Sequence, residues 1–161
     1  MNDTTDDLQA LFSSVSLGAP EKAVGFVLWR VMHRYKRAID RALAPTDLTH
    51  LQFTALAMAG WLAKSGEPVT QAALAKAGDI HPMQVSLVLK PLEAKGLLTR
   101  AQDPIDIRAK RIAVTPTGVR VLSEAMPLVV AVQHRMFGAA GAEGELLAAL
   151  RQVDEGGPER D

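Results

Sequence analysis

"TQAALAKAGDIHPMQVSLVLKPLEAKG", residues 70–96, spells two short helices meeting at a tight turn. Thr70 suits a helix N-cap, Gly78-Asp79 supplies the turn, Pro82 stands in the first turn of the second helix, and Gly96 stops it. Two helices joined by about four residues that include Gly form a helix-turn-helix. In the second helix Val85, Val88, Leu89 and Leu92 fall on one face and pack inward. The opposite face carries Met83, Leu87 and Lys90, flanked by Gln84 and Ser86. Laid in a major groove, Gln84 pairs with adenine, Ser86 bonds a base or a phosphate, Met83 or Leu87 meets a thymine methyl, and Lys90 meets a phosphate. The other reading is that Met83 and Leu87 only cover a neighbouring helix.

Downstream, "LLTRA" (97–101) and "KRIAVT" (110–115) read as two strands around the Asp103-Pro104 turn. A hairpin after a recognition helix is a wing, and a cation at its tip can enter a minor groove. Arg108 is that cation. Asp106 holds it by an ion pair or caps the turn, and Lys110 and Arg111 take phosphates; otherwise this is an ordinary charged hairpin tip. Thr115 then caps a helix with Pro116 at its first position, running through Val119, Leu122, Met126 and Val129 to about Phe137 and bent at Pro127. A last helix, roughly 142–153, aligns Leu146, Leu147, Leu150 and Val153.

Upstream, the stretch from Leu48 to Lys64, with Asp47 as N-cap, contains no charge before Lys64 and shows apolar residues on all sides. That predicts a central, buried helix with Trp61 in the core. "SGEPV" (65–69) breaks the chain after it. Before it, a helix from about Glu21 to Leu43 has a main stripe of Val24, Leu28, Val31, Met32, Tyr35, Ile39 and Ala42. Phe26 and Trp29 lie off that stripe, so they meet either a partner subunit or terminal helix, or a local loop. Leu8, Leu11, Phe12 and Val15 mark a first amphipathic helix after Asp6 and Asp7, ending near Gly18 to Pro20.

The 161 residues, 48% hydrophobic and only 4% aromatic, suit one mainly helical domain packed on Ala and Leu. No apolar run is long enough for a membrane span and "MNDTTDD" is acidic, which points to the cytoplasm and away from the membrane. Without Cys, and with His33, His50, His81 and His134 scattered, no metal site is expected. No nucleophile, phosphate-loop or paired-carboxylate motif argues for an enzyme or a cofactor. The formal net charge is zero, yet residues 70–120 carry eight cations against four acids and residues 21–44 six against two. A basic middle between acidic ends hints at a polyanion partner.

"LTHLQFTAL" (48–56), the stretch 70–100 and "DIRAKRIAVTPTG" (106–118) resemble the MarR family of bacterial winged-helix transcription regulators, over roughly residues 21–137. The most specific part is the Asp-x-Arg wing, with Leu-Glu-x-x-Gly-Leu (92–97) before it and Thr-x-x-Gly soon after. The resemblance implies a single MarR-like domain over 1–161, mainly α with a small β-hairpin wing: dimerisation helices at 6–46 and 119–155, and a winged helix-turn-helix at 47–118. It further implies a homodimer on a palindromic operator in double-stranded DNA, commonly a repressor released by a small-molecule effector. Asp106 and Arg108 match the wing pair, and positions 83–90 the recognition helix. The effector crevice would be lined by His33, Arg34, Met58 and Trp61. Pro91 inside the recognition helix and the apolar Leu87 depart from the family pattern. They leave open a winged-helix protein-interaction module without sequence-specific DNA binding.

Overall fold

The computed structural model describes residues 3–15, 19–138 and 144–156. Of the expected end of the first helix at Gly18 to Pro20, Gly18 lies outside them, as does the expected start of the last helix near 142. The elements run α1 (Asp3–Val15), α2 (Val24–Leu43), α3 (His50–Ala63), β1 (Val69–Thr70), α4 (Gln71–Gly78), α5 (Pro82–Ala94), β2 (Leu98–Gln102), β3 (Lys110–Val114), α6 (Pro116–Phe137) and α7 (Glu145–Glu155).

Residues up to Ala38 form one compact unit and those from Ile39 a second. In the first, α1 and α2 keep Leu8, Leu11, Phe26, Leu28, Trp29 and Met32 exposed. Phe26, Trp29 and His33 form a ladder of rings along α2, with centroids 6.0 and 4.1 Å apart. In the second, the end of α2 buries Ile39 and Leu43 completely. Around α3 gather α4, α5, α6 and β3, and Phe53, Ala55, Leu56 and Ala59 are its buried residues.

Two expectations for α3 fail. Its N-cap is Thr49, not Asp47: the Thr49 hydroxyl accepts the Gln52 amide at 3.2 Å while the Gln52 side chain accepts the Thr49 amide at 3.3 Å, a reciprocal capping box. Asp47 sits in the left-handed region (φ 53°) behind a 3-10 turn, its carboxylate 3.0 Å from the Lys95 ammonium. Trp61 is not in the core either: it is 66% exposed, with the Lys64 ammonium 4.1 Å over its ring. A helix free of charges can still have an outer face, and Leu51 and Trp61 lie on it.

The wing is larger than a hairpin. β3 pairs antiparallel with β2, Leu98 opposite Val114 and Gln102 opposite Lys110, and on its other edge with β1, Val69 opposite Ile112. Only two residues long, β1 has too short a pattern to read as a strand, and the Gly-Glu-Pro before it reads as a break.

One junction ties recognition helix, wing and α6. Gly96 (φ 69°) ends α5 in a Schellman motif, its amide bonding the Glu93 carbonyl at 2.9 Å and the Leu97 amide the Leu92 carbonyl at 3.0 Å. The Leu97 carbonyl accepts the Thr115 amide at 3.0 Å, and the Thr115 hydroxyl donates to the Gly96 carbonyl at 2.6 Å. Thr115 also caps α6 by accepting the Gly118 amide at 3.0 Å. A Cβ on Gly118 would lie 2.0 Å from the Leu97 carbonyl oxygen, so only glycine lets α6 start here. Gly118→Ala is expected to destabilise the chain by about 3 kcal/mol in chemical denaturation. Gly60→Ala, whose Cβ meets Leu122 at an ordinary 3.6 Å, should gain up to about 1 kcal/mol of helix propensity.

Candidate nucleic-acid interface

Two surfaces assemble the exposed residues singled out in the sequence. On α5, Val85, Val88, Leu89 and Leu92 are buried, while Gln84, Ser86 and Lys90 are exposed, as are Met83 (68%) and Leu87 (67%). His81 caps this helix, Nδ1 accepting the Met83 amide at 3.2 Å, with Pro82 following at the first position. The helix continues through Pro91, which has no amide for the Leu87 carbonyl. Leu87 and Pro91 instead border a shallow cleft of about 330 Å³ with Thr49, Leu51 and Gln84. Leu51 is the contributor to this face that sequence reading missed, because its helix looked wholly internal.

The second surface is the wing tip, organised by one carboxylate. Asp103, 8% exposed, accepts the Ile105 amide at 2.7 Å and the Asp106 amide at 2.9 Å on Oδ1, and Arg111 Nε at 2.5 Å on Oδ2. The Asp103 amide closes the loop on the Ala109 carbonyl at 2.9 Å. Asp106 caps the turn: its Oδ1 accepts the Arg108 amide at 3.0 Å, and its carbonyl the Ala109 amide at 2.9 Å. Of the two roles open to Asp106, the structure shows the cap; no ion pair to the Arg108 guanidinium occurs among the described residues. The hydrogen bond from Arg111, then those from the Asp106 and Ile105 amides, hold the Asp103 carboxyl well below the usual carboxylate range, at about 2.

The local cations therefore divide by their partners. Arg111 is tied to Asp103, Lys95 to Asp47, and Arg100 to Glu93 through Nη2 at 2.6 Å and Nε at 2.9 Å. The Arg100 hydrogen bond is the main cause lowering the Glu93 carboxyl below its usual range. Lys90, Arg108 and Lys110 form no ion pair within the chain among the described residues. Arg108 and Lys110 border, with Pro82 and the start of α4 (Thr70, Gln71, Ala72), a depression of about 290 Å³. The wing and the start of the recognition helix thus lie side by side.

His33 and Arg34 belong to the unit ending at Ala38, Met58 and Trp61 to the other. His33 is exposed, Nδ1 2.8 Å from the Trp29 carbonyl. Met58 is half-buried and Arg34 exposed. Within the second unit a hollow of about 840 Å³, mostly apolar, opens between α3, β1, β3 and α6, lined by Gly60, Val69, Ile112, Leu122 and Met126 with Arg111 at its side. Sequence reading missed it, because its walls come from four elements far apart in the chain.

Residues 48–110 match the MarR family. An HTH-type transcriptional regulator of Bacillus subtilis strain 168, YdcH, is 34% identical over 134 residues, 83% of this chain and 91% of that protein. CouR of Rhodococcus jostii RHA1, in a crystal structure bound to p-coumaroyl-CoA, superposes with a TM-score of 0.72 at 30% identity, covering 89% of this chain and 99% of CouR. MOSR of Mycobacterium tuberculosis, in complex with DNA, superposes with a TM-score of 0.68 at 27% identity over 83% of this chain and 96% of MOSR.

Because the folded-state value of Asp103 is depressed, its contribution to wing stability is complete above the ordinary carboxylate value near 4 and is lost as pH falls towards about 2. The Ile105 and Asp106 amide shifts should titrate in an NMR pH series with a midpoint near 2. A midpoint near 4 would remove Asp103 as the organiser, and Asp103→Asn should abolish this titration.

Proposed function

The chain belongs to the MarR family of transcriptional regulators, and on that premise we propose that it acts as a homodimer on a palindromic operator, as a repressor released by a small molecule. The observation that carries this reading is the adjacency of two exposed groups: Gln84, Ser86 and Lys90 on α5, and Arg108 and Lys110 on the wing beside the start of that helix. Gln84 and Ser86 read base edges in the major groove, with Met83 and Leu87 against thymine methyls. Arg108, its backbone set by Asp106, enters the minor groove. Lys90, Lys110 and the free edge of Arg111 neutralise phosphates. The DNA complex of MOSR supports this reading.

Exposed apolar residues on α1 and α2, and Leu146, Leu150 and Val153 on α7, support dimerisation by helices within 6–46 and 119–155, with 47–118 as the DNA-binding region. Two recognition helices related by a two-fold axis then meet half-sites about 34 Å apart. CouR bound to p-coumaroyl-CoA supports a small-molecule effector. Of the residues expected to line its crevice, Met58 and Trp61 lie in the second unit, and His33 and Arg34 in the first. The hollow beside Arg111 is a candidate site: an effector there would pull on the residue that holds Asp103 and, through it, the wing tip. Such a regulator works in the cytoplasm.

The exposed, apolar Met83 and Leu87 favour one rival, a winged helix retained for protein contacts. Selection from random duplex DNA followed by fluorescence anisotropy separates the two. A regulator is expected to enrich a palindrome and to bind it with a log-log salt slope of about four to six. Arg108→Ala should weaken binding about 10- to 100-fold and reduce that slope by about two, one for each protomer. Absence of binding even at low salt would favour the interaction module, and a monomer in light scattering would end the dimer.

A further inference from the structure

The wing tip exposes more than a cation. Ile105 and Ile107, 89% and 73% exposed, are the most and third most exposed of the large apolar residues among the described ones. They flank Asp106 and stand immediately before Arg108 in "DPIDIR", residues 103–108. Single exposed aliphatic residues need no explanation. Here, however, two of them sit on a loop whose backbone is held in one shape. Asp103 fixes the Ile105 and Asp106 amides, Asp106 fixes the Arg108 amide, and the Gln102 side chain donates to the Ile107 carbonyl at 2.7 Å. None of these bonds uses an isoleucine side chain, so the loop gains no internal hydrogen bond from having isoleucine there.

We propose that Ile105 and Ile107 are minor-groove contact residues, packing against the apolar deoxyribose walls beside Arg108 and shielding its guanidinium from water. This rests on the DNA-binding reading above and extends it to side chains that carry no charge. Three features favour duplex DNA over a protein or a second copy as the occupant. Arg108 and Lys110 adjoin the isoleucines and form no ion pair within the chain. The tip projects from the same wing that borders the start of the recognition helix. A pre-set loop loses little entropy on entering a groove. Apolar side chains inserted at the minor groove are an established means of gripping and deforming DNA. A guanidinium drawn from water beside them interacts more strongly with the negative potential of a narrow groove.

The two kinds of contact leave different signatures. Losing a cation lowers the salt slope, whereas losing an apolar contact lowers affinity equally at every salt concentration. The double variant Ile105→Ser/Ile107→Ser should keep its thermal midpoint and far-ultraviolet spectrum. It should bind the selected duplex about tenfold more weakly at each of several salt concentrations, with the slope unchanged. Ile105→Val/Ile107→Val should recover most of the affinity. If wild type binds and the serine variant binds equally well, the isoleucines do not touch DNA, although the regulator reading stands. If the serine variant loses slope along with affinity, its effect runs through Arg108 positioning and the proposal fails. If wild type binds no duplex, both readings fall. If light scattering shows assembly that the serine variant abolishes, the tip contacts protein, and the proposal is wrong.

Discussion

The Leu97 carbonyl is the point on which the arrangement of the second unit turns. Leu97 is buried at 4% exposure, its amide completes the Schellman end of α5, and its oxygen takes the amide of the residue that caps α6. Within a few ångströms the chain therefore ends the recognition helix, enters β2, leaves β3 and starts α6. A buried carbonyl must be satisfied, and here the partner is supplied by a segment eighteen residues later in the chain. The absent side chain of Gly118 makes that approach possible. Helix α5 and the wing are thereby held to one frame, as the joint contact with one duplex proposed above requires.

Within the wing the same logic recurs with a charge. Asp103 satisfies two loop amides with one oxygen and Arg111 with the other, so the hairpin tip is hydrogen-bonded into its shape without glycine. Charge-assisted bonds of this kind are stronger than neutral ones. The cost is that a cation which reads as a phosphate contact is largely engaged at home. The same holds for Arg100 against Glu93 and Lys95 against Asp47. Pairing leaves the net excess of residues 70–120 almost unchanged, but it narrows the exposed cations there that have no ion pair among the described residues to Lys90, Arg108, Lys110 and Arg120.

Much of the fold was legible because it rests on local rules. Thr70, Thr115, Pro82, Pro116 and Gly96 act at helix ends within a few residues of themselves, and the periodicity of Val85, Val88, Leu89 and Leu92 states their burial directly. The errors arise where local rules leave a choice that distant segments settle. Asp47 and Thr49 are both good capping residues two positions apart, and Lys95, nearly fifty residues later, engages the first. Trp61 was assigned to the core because its helix has no charge, yet hydrophobicity does not say which face finds a neighbour.

By itself the sequence determined the order of elements, the helix-turn-helix, the existence of a wing and the family, all from signals spanning a few residues. Only the tertiary structure decided which cations are already paired, that β1 joins the wing, that Trp61 is exposed, and that a hollow opens beside Arg111. The physical reason is range. Caps, turns and periodicity are read from neighbours in the chain, whereas ion pairs, sheet edges and cavities depend on which distant segments the packing brings together.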